Sequence, residues 1–260
     1  MTKLIVIKIG GQAISQLSTT FFDQIAQWYQ QHYQILIVHG GGPMINRLTN
    51  QLALPVHKVN GLRVTDAATL VLTKLALLGD VQPALLAKLT QHHLPVLGLN
   101  AADNQLLTGE LIDYRQLGYV GRLTAVNQVQ LMQLLAHHIG ILAPLALTET
   151  GQWLNVNADM AATVLAQQLH AEKLVLLTDV PGIIHHGNVM TSLSPQQAQQ
   201  LIRTAVITAG MQPKVQAAIA AIQTGVKQAI ITNAIDQPGT AIIQELSLIH
   251  ISEPTRQEAI

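Results

Sequence analysis

Short β-branched apolar runs, each followed by a glycine or turn cluster and then a helical stretch, constrain this chain most. The clearest are Leu4–Ile9, 35–39, Val96–Leu99, 141–145, 174–178 and 229–232. Runs that are apolar on both faces are what strands covered by helices on both sides require. Between them, Phe21, Phe22, Ile25, Trp28 and Tyr29 recur on one helical face. Ala161, Val164, Leu165 and Leu169 mark another, and Ser194 is placed to N-cap a helix over 195–204. The alternation predicts an α/β fold: a three-layer αβα sandwich with an open, mainly parallel central sheet. With 49% apolar residues in 260, the core that this demands is easily supplied.

The segment 106–123, with glycines at 109, 118 and 121 and tyrosines at 114 and 119, is expected to form β-hairpins over one edge of the sheet. A division near Leu147 separates an N-terminal lobe, 1–147, from a C-terminal lobe, 148–245. The stretch 246–260 does not fit the architecture before it. Its Leu-Ser-Leu-Ile-His-Ile-Ser-Glu-Pro-Thr-Arg reads like a translated sequencing adapter, so a non-native tail is expected after Glu245.

Several function classes lose support from composition. Fourteen basic and fourteen acidic residues cancel, which argues against a nucleic acid or an anionic membrane held by bulk charge. The absence of cysteine excludes disulfides, thiolate metal sites and a cysteine nucleophile. No stretch approaches the roughly 18 uninterrupted apolar residues of a membrane span, and the N-terminal apolar run is too short for a secretory signal. A soluble cytoplasmic protein is expected.

Six segments can hold chemistry. Lys8-Ile9-Gly10-Gly11 puts a cation on a rigid strand beside backbone that an anion can approach; a solvent-facing lysine before a flexible turn accounts for it equally well. His39-Gly40-Gly41-Gly42-Pro43 is a strand-to-helix turn with bare N–H groups at a helix N-terminus, a cradle for phosphate or carboxylate. It matches neither the dinucleotide fingerprint nor the P-loop. His39 itself reads as a core histidine.

Asn60-Gly61-Leu62-Arg63-Val64-Thr65 offers Arg63 to a carboxylate, although pairing with Asp66 on the surface is the simpler account. In Asn155-Val156-Asn157-Ala158-Asp159, capping by Asn157 and the dipole preference of Asp159 leave Asn155 unexplained. Thr178-Asp179-Val180-Pro181-Gly182-Ile183 turns sharply at the end of a strand. In Gly210-Met211-Gln212-Pro213-Lys214, Lys214 opposes the dipole of the helix it opens, which points to an anion.

Taken together and in this order, these motifs resemble the amino acid kinase family, and within it the acetylglutamate kinase branch of arginine biosynthesis. The resemblance covers the chain from Leu4 to about Ile243. It implies transfer of the γ-phosphoryl group of ATP, brought as its Mg²⁺ complex, to the side-chain carboxylate of N-acetyl-L-glutamate. Lys8 and Lys214 would flank the transferring group, with Asp159 orienting them. Gly10, Gly11 and Gly41 would bind phosphate oxygens, and Gly41 and Gly42 would approach the acceptor. Arg63 would take the α-carboxylate and Asn155 the acetylamino end. Thr178, Asp179, Val180, Pro181, Gly182, Ile183 and Ile184, with Val206, Ile207 and Thr208, would line the nucleotide site. No protein metal site is expected. The short segment before Lys8 implies an arginine-insensitive homodimer joined through the N-terminal half.

Overall fold

The computed structural model describes residues 3–207 and 210–244, so Thr208 and the tail 246–260 lie outside the described residues. Among these residues the strands are β1 (Leu4–Ile9), β2 (Gln34–His39), β3 (Lys58–Val59), β4 (Leu62–Arg63), β5 (Val96–Leu99), β6 (Leu107–Leu111), β7 (Val120–Val126) and β8 (Ile139–Leu142). They continue as β9 (Leu145–Leu147), β10 (Trp153–Val156), β11 (Lys173–Leu177), β12 (Ile184–His185), β13 (Asn188–Val189), β14 (Ser192–Leu193), β15 (Gln228–Thr232) and β16 (Thr240–Ile243). The helices are α1 (Thr19–Gln30), α2 (Gly42–Gln51), α3 (Ala67–Lys74), α4 (Gln82–Gln91), α5 (Tyr114–Leu117), α6 (Gln128–Leu135), α7 (Ala158–Gln168), α8 (Pro195–Arg203) and α9 (Gln212–Gln223).

The central sheet runs β14-β16-β15-β11-β1-β2-β8-β5, parallel throughout except between β15 and β16. Alternation along its strands divides the core. Leu4 and Val6 of β1, Leu36 and Val38 of β2, and Leu174 and Leu176 of β11 join a cluster with residues of α6, α7 and α9. Ile5, Ile7, Ile9, Ile35, Ile37, Val175 and Leu177 face the other way, into a cluster with Phe21, Phe22 and Ile25 of α1 and Leu85 and Leu89 of α4. Period-two residues feeding two separate apolar clusters are the physical signature of a three-layer sandwich, as the sequence predicts. Each cluster draws on both halves of the chain.

The helix signals behave as expected. Ser194 caps α8 with a reciprocal box, its hydroxyl accepting from Gln197 N at 3.2 Å while its own N–H donates to Gln197 Oε1 at 2.9 Å. Asn157 caps α7, accepting from the N–H groups of Asp159 and Met160.

Two expectations need correction. The run 141–145 is not one strand: β8 ends at Leu142, and after Ala143-Pro144 the chain leaves the sheet as β9. Proline has no N–H for the ladder, so the sheet cannot continue through it. The segment 106–123 supplies β6 and the start of β7, which pair antiparallel as expected, but with β9 and β10 they close a small four-stranded barrel rather than lying over an edge of the sheet. Closure leaves these strands without a free edge.

The helical run Ala67–Gln91 widens into a π-helical stretch at Leu75–Val81 between α3 and α4. It is long and apolar enough by length and composition to cross a membrane, yet its Val81, Leu85 and Leu89 pack into the core against the sheet.

Candidate active site

The site follows from strand register. β11, β1 and β2 are adjacent and parallel, with Ile9 level with Leu177 on one side and His39 on the other. The turns that follow them, at 10–11, 40–42 and 178–179, therefore leave the carboxyl edge of the sheet side by side, where open α/β sheets bind ligands. They line a cleft of about 1170 Å³ together with Arg63, Asn155, Asp159 and Lys214.

The two glycine turns touch. A Cβ on Gly11 would stand 2.8 Å from Pro43 Cδ and 3.3 Å from Gly41 Cα, and one on Gly41 would clash with the Leu77 side chain. At position 11 no other residue fits without moving the start of α2. The contact holds the start of α2 against the end of β1, so backbone N–H groups and the positive end of α2 face the cleft.

Lys8 lies on the face of β1 covered by α7 and is only 8% exposed. Its Nζ is 2.9 Å from Asp159 Oδ1, in the first turn of α7. A buried ammonium needs such a partner, because desolvation is otherwise uncompensated. Lys214, in the first turn of α9, is partly exposed, and its Nζ donates to Gly210 O at 3.5 Å. Asp179 lies within electrostatic reach of both lysines. Hydrogen bonds from Thr178 Oγ1, at 2.9 Å, and from its own backbone hold its carboxyl below the usual carboxylate range, and the charges of Lys214 and Lys8 add to the effect.

Arg63 is not paired with Asp66. Asp66 caps α3, accepting from Thr69 N at 2.7 Å, and that bond lowers its carboxyl. The guanidinium instead turns inward: Nη2 donates to Asn46 Oδ1 at 2.5 Å and to Gly42 O at 3.4 Å. Its Nη1 is buried with no hydrogen-bond partner among the described residues, a donor that an anionic ligand could satisfy. Burial also lowers the guanidinium's affinity for its proton. Asn155, on β10, donates through Nδ2 to Thr65 Oγ1 at 2.9 Å.

Of the expected site residues, Lys8, Gly10, Gly11, Gly41, Gly42, Arg63, Asn155, Asp159, Thr178, Asp179 and Lys214 line the cleft. Val180, Pro181, Gly182, Ile183, Ile184, Val206 and Ile207 do not; Ile183 and Ile207 are 2% exposed, within the core cluster on the α7 side. Asn46, Asn157, Asp80 and Lys88 also line the cleft, although the motifs do not single them out as ligand groups. Asn46 lies one turn past Pro43 in the α2 helix that the glycine turn opens, a polar position that periodicity alone leaves unassigned.

His39 is fully buried, and burial drives its imidazole down to about 4, only partly opposed by a 3.3 Å contact with Gly40 O. It is a neutral core group beneath the glycine turn, outside the lining of the cleft.

Sequence and fold comparisons agree with this geometry. The sequence model of the amino acid kinase family matches residues 3–233. The chain is 98% identical over 248 residues to the acetylglutamate kinase of Lactiplantibacillus plantarum, covering 95% of this chain and all of that one. It is 49% identical to the acetylglutamate kinase of Leuconostoc citreum, over 93% of this chain and 99% of the relative. The crystal structure of smu.665 from Streptococcus mutans UA159 superposes with a TM-score of 0.88 at 40% identity, covering 94% and 99% of the two chains. This chain belongs to the amino acid kinase family.

Proposed function

We propose that this chain transfers the γ-phosphoryl group of ATP to the side-chain carboxylate of N-acetyl-L-glutamate, yielding N-acetylglutamyl 5-phosphate in arginine biosynthesis. The observation that supports it most is the shared cleft, where two lysines from distant parts of the sequence stand beside two abutting glycine turns. The nearly full-length identity to an acetylglutamate kinase names the acceptor.

The chemistry asks for little proton transfer. The attacking oxygen belongs to a carboxylate that is already an anion, so no general base is needed and buried His39 is not called on. The barrier is repulsion between acceptor carboxylate and phosphoryl oxygens, so catalysis rests on in-line positioning and fixed positive charge. Lys8 and Lys214 supply that charge from opposite sides. Asp159 holds Lys8 in place and neutralises it in the free enzyme. The N–H groups of Gly10, Gly11 and Gly41 take phosphate oxygens. Arg63, through its unpartnered Nη1, takes the α-carboxylate, and Asn155 the acetylamino group. Magnesium enters with the nucleotide, liganded by phosphate oxygens and water.

The N-terminal lobe holds the acceptor and the C-terminal lobe the nucleotide, with Asn155 reaching across the division. The nucleotide extends beyond Thr178 and Asp179 past the accessible Val180, Pro181 and Ile184, with Val206 beside it. The enzyme works in the cytoplasm as a homodimer joined through the N-terminal half, where Val71 and Leu75, one helical turn apart, stand 50% and 58% exposed.

ATP consumption with N-acetylglutamate, glutamate, aspartate and carbamate, with hydroxylamine trapping of the acyl phosphate, tests this reading. Hydroxamate is expected with N-acetylglutamate well above the others. Equal or greater product from glutamate would overturn the choice of acceptor.

A further inference from the structure

Thr65 is fully buried, does not line the cleft, and belongs to no step of the mechanism above. Its backbone is clamped. Thr65 N donates to Leu117 O at 2.8 Å and Thr65 O accepts from Tyr119 N at 2.7 Å, in a bridge opposite Gly118. The same stretch holds Asn155, whose N–H donates to Tyr119 O at 2.9 Å. A Cβ on Gly118 would clash with Thr65 O, so the two backbones approach more closely than any residue but glycine allows. Thr65 and Asn155, ninety residues apart in sequence, are thus fixed against one three-residue segment.

The side chains then obey a donor count. The Thr65 hydroxyl has one proton, and Oγ1 donates it to Arg63 O at 2.9 Å, a carbonyl that can only accept. Toward Asn155, 2.9 Å away, Oγ1 has only lone pairs to offer. The carboxamide must therefore present Nδ2 to Thr65 and Oδ1 away from it. Oδ1 has no hydrogen bond among the described residues, and Asn155 lines the cleft.

We propose that Thr65 is a positioning residue that decides which end of the Asn155 carboxamide meets the acceptor: with its proton committed to Arg63 O, it takes Nδ2 and turns Oδ1 into the cleft to accept the acetamido N–H. The backbone carbonyl of Arg63, whose guanidinium addresses the other end of the acceptor, is the same group that sets the hydroxyl. One buried hydroxyl therefore ties both recognition groups into a single register. A carboxamide free to rotate would offer its NH₂ about as often as its oxygen, and would meet an acceptor N–H donor to donor.

This inference rests on the proposed acceptor, and the experiment separates the two. Steady-state kinetics are measured for wild type, Thr65→Val and Thr65→Ser with N-acetylglutamate and with 2-acetoxyglutarate, whose ester oxygen replaces the N–H. Wild type is expected to favour the amide by on the order of tenfold or more. Thr65→Val should raise KM for N-acetylglutamate by about tenfold and bring the preference to within about threefold, with kcat and KM for ATP nearly unchanged. Thr65→Ser, which keeps the hydroxyl, should restore both values.

Wild type treating amide and ester alike would overturn the proposal even if Thr65→Val fails to fold; unaltered preference in a folded Thr65→Val would overturn it as well. No wild-type turnover of N-acetylglutamate at all would instead remove the proposed acceptor.

Discussion

Lys8 emerges from the middle of the central sheet, 8% exposed and 2.9 Å from a carboxylate. Lys214 opens a helix at the far side of the cleft, partly exposed, with one 3.5 Å bond to the backbone behind it. The same ammonium group is thus held in two ways. β1 is ordered by neighbours on both sides, and its lysine is aimed before any ligand arrives; electrostatic preorganisation of this kind costs nothing at the moment of transfer. The start of α9 follows the segment 208–209, outside the described residues, and its lysine keeps rotamer freedom that contact with an anion would cost. One wall of the cleft is built in advance; in the proposed reaction the other is completed when the nucleotide binds.

Substitution by arginine separates these cases. Lys8→Arg should lower kcat on the order of a thousandfold while thermal unfolding changes little, since a planar guanidinium cannot take the place of a compact, buried ammonium beside Asp159. Near-normal turnover would break the comparison at its rigid end.

The rigid wall also predicts an acid response. His39 titrates near 4 when folded and near 6.5 when unfolded. A depressed folded value means that the unfolded chain binds the proton first. The contribution of His39 is therefore present above about pH 6.5 and lost as pH falls toward 4, on the order of 3 kcal/mol in all. Denaturant unfolding of wild type against His39→Leu should show that much extra loss in wild type between these pH values. Parallel curves would mean the imidazole is not held neutral.

Arg63→Ala should raise KM for N-acetylglutamate by about ten- to a hundredfold, in keeping with loss of a charged hydrogen bond, and leave KM for ATP within about threefold. Equal effects on both would move Arg63 away from the acceptor. The smallest effect belongs to Lys214→Arg. A half-exposed side chain has room to re-aim, and a loss of about tenfold in kcat is expected. If Lys214→Arg is as damaging as Lys8→Arg, the two walls are equally rigid.

The layers, the strand positions other than 141–145 and the caps of α7 and α8 were legible because they follow from local periodicity and local side-chain oxygens. The Lys8–Asp159 pairing was legible only in outline, as two charges near two turns. Its cause, the covering of one face of β1 by α7, is tertiary. The barrel was missed because two of its strands, β9 and β10, come from later in the chain than the glycine-rich segment that suggested hairpins. Asn46 carries no motif, and Thr65 stands in one only as the last residue of the Arg63 segment, with no role assigned to it. Their meaning comes from the inward turn of Arg63 and from a clamp that joins residues 65, 117–119 and 155, which no local pattern encodes.

The proposed reaction requires the transferring phosphoryl group to sit between the two lysines. A crystal structure with a non-hydrolysable ATP analogue, Mg²⁺ and N-acetylglutamate measures this directly. The ammonium nitrogens of Lys8 and Lys214 should both lie about 3 Å from oxygens of the terminal phosphoryl group or its bridging oxygen, with the acceptor carboxylate in line behind it. A terminal phosphate contacted by neither lysine, or an acceptor bound away from Arg63 and Asn155, would contradict the account.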